Sequence, residues 1–392
     1  MATAAIESGT LAADLIARAE RIGEGVAGPA AVAVDRDARF PREAIDALRR
    51  ERMLSAFVPV ELGGMGAGIG DLAAVSEILG RHCSAAAMVF AMHQIEVICL
   101  VRHGLRSGWI RRYLTDLVES QRLIASATSE VGVGGDVRTS LCAVHRQGDG
   151  FTLEKQASVI SYGEHADDIL ATARRAPDAA AADQVLVLLA GAGMTVERTG
   201  DWDTLGFRGT CSPGFRLAAR GESGQILDDP FADISTRTML PVSHILWASI
   251  WLGIATTAVD RARAFVRADA RKRPGVTPPA SLRLAELTGV LQMMRANVHD
   301  CIREYERTMD DTDALSSLGF VIRMNNLKVG SSQLVVQIVS QALLVCGMAG
   351  YRNEGPYSLG RQLRDAYGAM LMINNDRIAG ANASMLLVHK GE

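Results

Sequence analysis

The period of the hydrophobic residues changes twice along this chain, and that order limits the folds it can adopt. Apolar residues recur with a helical period over residues 11–123 and 234–388, while residues 124–230 contain short β-type runs separated by Gly, Asp and Pro. A chain of 392 residues is too long for one ordinary core. The pattern predicts a mainly α protein with three domains: an N-terminal helical domain, 1–123; a central β domain, a small β-barrel or sandwich, 124–233; and a C-terminal helical bundle, 234–392.

Composition excludes several classes of protein. A net charge of −3 leaves no basic field for nucleic acid. The segment Met1–Leu11 has no basic n-region, and the longest apolar stretch, Ile245–Val259, is shorter than the roughly 20 residues of a membrane-spanning helix. The six cysteines form no CxxC pair and no zinc-ligand spacing. We therefore expect a cytoplasmic protein without a membrane span or a bound metal.

Four short motifs in a fixed order carry more information than composition. The first is a glycine-rich turn after a short strand, where glycine lets backbone N–H groups approach acceptor atoms of a ligand. The second alternates like a strand, the third is a Gly-Phe-Arg-Gly turn, and the fourth breaks a long helical pattern. In order they read ATSEVGVGGDV at 127–137, SVISY at 158–162, LGFRGTCS at 205–212, and CGMAGY at 346–351 with Glu354, Pro356 and Arg-Asp-Ala at 364–366.

Together these motifs resemble those of the acyl-CoA dehydrogenase superfamily, and the resemblance spans most of the chain. The family patterns are T-E-P-x-A-G-S-D, W-I-T-N, G-x-R-G-T-x-S and G-G-x-G-Y…E-x-P…R-D-A. The resemblance implies one FAD per subunit and α,β-dehydrogenation of an acyl thioester, carried on CoA or on an acyl carrier protein, with hydride transfer to flavin N5. It also implies an electron-transfer partner or oxygen as acceptor. A homotetramer or homodimer is expected because the family builds its FAD sites across subunits.

The resemblance also assigns roles to individual residues. Ser161 matches the hydroxyl that bonds flavin N5, and Arg267 matches the arginine that grips the FAD pyrophosphate. Arg208 is either a substrate or flavin anchor or a structural ion pair, and His93 either lines the acyl pocket or packs in the core. The predicted cofactor-binding residues are Ser129, Glu130, Gly132, Gly134, Ser161, Arg267, Gly347 and Gly350. The predicted substrate-contacting residues are Gly135, His93 and Arg208.

The resemblance breaks at the catalytic base. In most members a Glu follows the Arg of R-D-A by nine residues, and that position holds Ile373; the position used by a minority of members holds Ser243. His244 is one candidate base because an imidazole titrates near neutrality. Asp376 is the other, although it requires a shifted helix.

Two other classes of function stay open. Relatives of this fold use reduced flavin and oxygen to hydroxylate aromatic or amine substrates without the Glu, which makes a two-component monooxygenase the main alternative. The replacement of the family Trp by Val159 favours that reading, whereas Ser129 and Glu130 favour thioester oxidation. A non-catalytic binding relative that lacks flavin is the third possibility.

Overall fold

The computed structural model describes residues 2–390, with side chains from residue 9 onward. Residue 1 and residues 391–392, at the outer ends of the predicted terminal domains, lie outside this range. The N-terminal part is helical, and a π-helical segment, Gly23–Ala27, joins its first two helices. The helices are α1 Ala2–Ile22, α2 Gly28–Arg36, α3 Arg42–Arg50, α4 Ile69–His82, α5 Ser84–His103 and α6 Gly108–Ser120.

The central part forms two separate sheets. In the first, β1 pairs with β4 in parallel and β4 pairs with β5 antiparallel. The second has the order β2-β3-β7-β6 and is antiparallel throughout. The strands are β1 Ile124–Ala127, β2 His145–Gln147, β3 Gly150–Ala157, β4 Asp168–Arg174, β5 Gln184–Ala190, β6 Met194–Arg198 and β7 Phe215–Glu222.

The predicted order of helical, β and helical parts is confirmed, but the central domain is not a closed barrel. No ladder joins the two sheets among the strands that the structure describes. The segment 158–161, expected as a strand, is a loop after β3. The β3–β7 ladder ends at the pair Ala157–Phe215, and Pro213 on the opposite side has no N–H to continue it.

The C-terminal part is again helical, and a π-helical segment, Ser235–Met239, leads from α7 into α8. Side-chain caps begin several of these helices; the Ser317 hydroxyl, for example, accepts from the Phe320 N–H. The helices are α7 Phe231–Ile234, α8 Leu240–Lys272, α9 Ala280–Thr308, α10 Thr312–Ser316, α11 Leu318–Cys346, α12 Met348–Tyr351, α13 Gly360–Leu371 and α14 Asn375–Leu386.

Helix α8 lies at the centre of the fold. It packs against α4 and α5 on one side and against α9, α11 and α13 on the other. Its middle is apolar all round, which is typical of a helix buried on every side, and Trp251 is fully buried. One continuous hydrophobic core therefore joins the N-terminal and C-terminal helices and reaches the strands.

Among the described residues, three helical stretches are long and apolar enough to cross a membrane: Ser84–His103, Phe231–Lys272 and Leu318–Cys346. The length of the apolar stretches therefore does not by itself exclude a membrane-spanning helix. The most apolar windows of the first two are 89% and 94% buried inside the fold, but that of the third is only 44% buried. Core packing accounts for the hydropathy of the first two stretches, and α11 keeps an uncovered apolar face.

Candidate active site

The glycine-rich loop after β1 has the backbone conformation that requires glycine. Gly132, Gly134 and Gly135 have φ values of 95°, 61° and 78°, in the left-handed region. A Cβ at Gly134 would meet no atom within 4 Å, so the loop opens onto free space there. Arg377 of α14 donates to the carbonyl oxygens of Gly134, at 2.6 Å, and Gly135. The C-terminal helix therefore fixes this loop from outside.

Ser129 joins this loop to the second motif. Its hydroxyl donates to the carbonyl oxygen of Val159 at 2.7 Å and accepts from the Val159 N–H at 3.1 Å. A hydroxyl has one donor and two acceptor sites, so one acceptor site remains for a ligand. Ser129 thereby places the segment 158–161 directly beside the glycine loop, as the predicted flavin site needs.

Ser161 ends a row of three hydroxyl groups. Ser212 Oγ donates to Ser161 Oγ at 3.0 Å, and Thr210 Oγ1 lies 2.9 Å from Ser212 Oγ. The Ser161 hydroxyl accepts this bond and donates to none of the described residues. Its proton is therefore left to point away from the row, which is what a hydroxyl needs to donate to flavin N5. The sequence did not predict Ser212 or Thr210 as functional residues.

Backbone strain is concentrated around this row. Tyr162, Phe207 and Cys211 are non-glycine residues with φ values of 45°, 49° and 44°. The Tyr162 N–H donates to the carbonyl oxygen of Thr210 at 2.7 Å, which ties the two strained segments together. Such residues persist only where the surroundings hold them, and they cluster at ligand and catalytic sites.

The Glu130 carboxylate forms hydrogen bonds and an ion pair inside the fold. Its carboxylate accepts from the Ser140 hydroxyl at 2.6 Å and the Cys142 N–H at 2.7 Å, and it pairs with the buried Lys155 ammonium at 3.1 Å. Burial alone would raise the pKa of Glu130, but the Ser140 hydrogen bond and the Lys155 charge hold it below its usual value. We assign the carboxylate a structural role, and a cofactor contact stays a prediction only for the Glu130 backbone.

The two predicted arginines differ in their surroundings. The Arg208 guanidinium donates to Asp203 and to the carbonyl oxygens of Asp35 and Thr204, as expected if Arg208 forms a structural ion pair. Arg267 is exposed near the end of α8 and forms no ion pair with the described side chains. Arg267 is therefore free for a phosphate, and its predicted role stays open to test.

The fourth motif forms the turn after α11. Gly347 ends the helix with φ 56°, and a Cβ there would meet no atom within 4 Å. Gly350 is buried, and a Cβ there would lie 2.7 Å from Cys346 Cβ, so the position has no room for a larger side chain. Asp365 of the R-D-A segment is buried, accepts from the Phe207 N–H at 2.6 Å, and so joins the third motif to the fourth. Cofactor contact by the two glycines stays a prediction.

The junction of α13 and α14 holds Ile373, the residue at the position expected for a catalytic Glu, in a strained backbone conformation. Ile373 has φ 42°, which is a genuine outlier for a β-branched residue. Its carbonyl oxygen accepts from Lys328 Nζ at 2.9 Å, and Nζ also donates to Asn375 Oδ1 at 2.7 Å. Lys328 is fully buried, and burial lowers its pKa to about 8. Lys328 is not among the residues predicted from the sequence, although it is one of only four lysines in the chain.

The two predicted bases are poorly suited to the task. His244 is buried, and Nδ1 lies 3.1 Å from the Met324 carbonyl oxygen, so Nδ1 carries the proton and Nε2 is an unpaired acceptor. Burial, helped by the Lys328 ammonium, lowers the pKa of His244 to about 3, which makes it a weak proton acceptor. Asp376 is exposed at the start of α14, away from the core. Neither prediction gains support from this geometry.

Both ring nitrogens of His93 are hydrogen-bonded to backbone atoms. Nε2 lies 2.7 Å from the carbonyl oxygen of Leu54, and Nδ1 accepts from the Ile124 N–H at 3.0 Å. The ring is fully buried, and burial lowers its pKa to about 4. The packing alternative therefore fits His93, because no ring nitrogen is free for a substrate.

Several buried polar atoms lie on α8 and α11, two helices that pack against each other. His244 Nε2 and the indole nitrogens of Trp247 and Trp251 on α8, and Ser331 Oγ on α11, are buried without a hydrogen-bond partner among the described residues. Unpaired buried polar groups are costly and call for a bound partner or water. Across the described residues no group of three His, Cys, Asp or Glu side chains could hold a metal ion. The open glycine loop and the free Ser161 proton fit a flavin.

The fold and this site define a class: flavoprotein oxidoreductases with a helical, β, helical chain. The acyl-CoA dehydrogenase N-terminal domain matches residues 13–120, and the acyl-CoA dehydrogenase C-terminal domain matches residues 234–372. Together the two matches cover more than half of the chain. The chain belongs to the acyl-CoA dehydrogenase family, which confirms the predicted family and the predicted flavin cofactor.

Individual relatives include both dehydrogenases and a monooxygenase. The cyclohex-1-ene-1-carbonyl-CoA dehydrogenase of Geobacter metallireducens is 24% identical over 355 residues, covering 86% of this chain and 87% of the relative. FMN-bound TdsC, a dibenzothiophene monooxygenase from Paenibacillus sp. A11-2, has a TM-score of 0.84 at 17% identity, covering 97% and 98% of the two chains. Butyryl-CoA dehydrogenase from Megasphaera elsdenii has a TM-score of 0.81 at 19% identity, covering 96% and 98%.

Proposed function

We propose that this chain catalyses the α,β-dehydrogenation of an acyl thioester, carried on CoA or on an acyl carrier protein, with bound FAD. The observation that supports it most is the row Thr210–Ser212–Ser161, which leaves a serine proton free beside the open glycine loop. A bound flavin supplies the hydride acceptor. The sequence similarity to the Geobacter dehydrogenase supports an acyl thioester as the substrate class.

The chain's own residues then have distinct tasks. Ser161 donates to the electron-accepting edge of the flavin, and Ser129 keeps the 158–161 segment against the glycine loop. The left-handed glycines let the loop backbone approach the cofactor closely. Arg267, exposed and unpaired in the described part of the chain, neutralises the diphosphate. Repeated turnover would then need an electron-transfer partner or oxygen to reoxidise the cofactor.

The proposed enzyme is a homodimer or homotetramer. Large apolar side chains are exposed on the consecutive helices α11–α14, and clusters of this kind mark protein contact sites. We call them the C-terminal apolar surface: Leu344, Met348, Tyr351, Tyr367, Leu371, Leu386 and Leu387. A second copy covering this surface would also reach the Gly347 turn, where the family places the neighbouring subunit's FAD.

A two-component flavin monooxygenase is the second candidate function. The observation in its favour is that Ile373 and Ser243 occupy both positions where the family carries its carboxylate base. The fold similarity to TdsC is compatible with this alternative and equally with the dehydrogenase. A hydroxylase would need reduced flavin from an external reductase, whereas a dehydrogenase needs an electron acceptor.

An anaerobic titration of the purified protein with a panel of acyl-CoA thioesters separates these functions. Bleaching of the flavin absorbance by one chain-length or branching class is the expected result, and it would name that class. Oxidised flavin with every thioester, together with oxygen-dependent hydroxylation once a flavin reductase is supplied, would establish the monooxygenase. Failure to retain any flavin would leave the third alternative, a non-catalytic binding relative.

A further inference from the structure

Glu96 is a buried carboxyl group that the proposed function does not yet use. It lies in the middle of α5, in a run that is otherwise almost wholly apolar, and only 2% of it is exposed. Its Oε2 atom has no hydrogen-bond partner among the described residues. A charged residue at such a position is rarely retained without a partner or a task.

Helix α5, which carries Glu96, packs against β1, the strand that leads into the glycine loop. Ser126, on β1 three residues before Ser129, lies beside the carboxyl group, and its hydroxyl lowers the pKa of Glu96. Tyr162, the residue after Ser161, is fully buried; burial and the charge of Glu96 raise its pKa. Glu96 therefore lies next to both segments that the site brings together.

The other buried carboxylates of the site are already occupied. Glu130 binds Ser140, Cys142 and Lys155. Asp168 accepts from Arg122, Tyr113 and the Gly191 N–H. Asp365 accepts from Ser84 and the Phe207 N–H. Compared with these three, Glu96 alone keeps an oxygen free for a reacting group.

We infer that Glu96 is the proton acceptor that replaces the carboxylate missing at positions 373 and 243. This inference rests on the proposed thioester dehydrogenation. In that reaction the α C–H bond breaks, its proton passes to the Glu96 carboxylate, and its electron pair becomes the second bond between Cα and Cβ. The β-hydrogen leaves with its electron pair to the oxidant, which is the flavin.

The electrostatic surroundings of Glu96 suit a proton acceptor. Burial raises the pKa of Glu96 to about 8, against a smaller opposing effect of the Ser126 hydroxyl. The titratable groups that face Glu96 are the thiol of Cys99 on α5 and the phenol of Tyr162. Burial is the main cause that raises the pKa of both groups. No charged described residue contributes to the shift. A base with a pKa near the working pH is both partly ionised and strong enough to take the proton.

Two measurements on the flavin-loaded protein test this role. The first is the rate of anaerobic flavin bleaching by a saturating thioester from the reactive class. The second is the exchange of α-hydrogen for deuterium in 3,3-dimethylbutanoyl-CoA, which has no β-hydrogen to transfer, followed by mass spectrometry. Glu96→Gln should slow both by about 10²- to 10⁴-fold, the usual contribution of a positioned base, while flavin stays bound. Wild-type bleaching should rise with pH and level off above about 8.

Glu96→Asp and Glu77→Gln are two further variants that this test needs. Glu96→Asp keeps a carboxylate one methylene further away and should retain part of both signals. Glu77→Gln is the matched control, because burial also raises the pKa of Glu77 but it lies on α4 beside Arg295 and His299. Wild-type rates in folded Glu96→Gln would overturn the inference. If Glu96→Gln does not fold, a Glu96→Asp variant that retains neither signal would overturn it. Either result would leave the dehydrogenase function standing. A wild-type protein that no thioester bleaches would overturn both.

Discussion

Lys328 Nζ lies 2.9 Å from the carbonyl oxygen of Ile373, and this hydrogen bond holds a β-branched residue in the left-handed backbone region. Residues in such conformations cost about 1–3 kcal/mol and persist because neighbouring contacts determine them. Lys328 also donates to Asn375, at the start of α14, and Arg377 of the same helix binds the glycine loop. A buried lysine therefore sets the position of the helix that closes the proposed site.

Lys328→Met should lower the free energy of unfolding by about 1–3 kcal/mol. The Met side chain keeps most of the apolar stem, but it leaves the Ile373 carbonyl oxygen without its donor. Urea denaturation followed by circular dichroism measures the change. Lys272→Met, at the exposed end of α8, is the control and should change stability by less than about 0.5 kcal/mol. An unchanged stability in Lys328→Met would show that the hydrogen bond does not hold this junction.

His244→Leu should make the protein less sensitive to acid. The pKa of His244 is lowered from 6.5 to about 3 in the folded state, so between these values the unfolded chain binds a proton that the native state refuses. Stability contributed by neutral His244 is therefore complete above pH 6.5 and is lost as pH falls toward 3. The pH dependence of the thermal midpoint should be shallower in His244→Leu than in wild type. His145→Leu, on the exposed strand β2, is the control; equal slopes in all three proteins would contradict the assignment.

Local sequence was enough for the parts of the site that depend on backbone conformation. The glycines at 132, 134 and 135 were predicted to form a tight loop, and each has a positive φ. The long amphipathic and apolar periods predicted the helical parts on either side of the β domain. These features depend on neighbours within a few residues, which the sequence displays directly.

The remaining features depend on contacts between distant residues. Ser161 and Ser212 are 51 positions apart, so their hydrogen bond could not be read from either motif. The alternation at 158–161 predicted a strand, but Pro213 on the facing segment ends the ladder. Glu96 could have been noticed as a single acidic residue in an apolar helix. Its position beside β1, the strand that leads into the glycine loop, is visible only in three dimensions.

Ser212→Ala should weaken flavin binding through Ser161. Without Ser212 the Ser161 hydroxyl loses the donor that fixes its orientation, a hydrogen bond worth about 0.5–1.5 kcal/mol, which corresponds to roughly a 2- to 13-fold change in Kd. Ser212→Thr keeps the hydroxyl and should restore both the Kd and the flavin absorbance spectrum. Thr195→Ala, which removes an exposed hydroxyl on β6, is the control. An unaltered Kd and spectrum in Ser212→Ala would remove the hydroxyl row from the site.

Lys155→Met should destabilise the protein by about 3–5 kcal/mol, because it leaves the Glu130 carboxylate buried without its counter-charge. Chemical denaturation provides the measurement. Arg216→Ala breaks an exposed ion pair with Glu197 on the same sheet and should cost less than about 1 kcal/mol. Similar effects of the two variants would mean that the Glu130–Lys155 pair does not anchor the glycine loop.

Leu371→Asp should shift the protein toward the monomer. Leu371 is 77% exposed at the end of α13 and belongs to the C-terminal apolar surface, so a charge there would have to be desolvated when a second copy binds. Light scattering after size-exclusion chromatography gives the mass, and bound flavin should fall with it if the neighbouring subunit completes the cofactor site. Val32→Asp places the same charge on an exposed apolar residue of α2 and should leave the assembly intact. A wild-type monomer with full flavin content would refute the proposed assembly, because a complete site in one chain needs no partner.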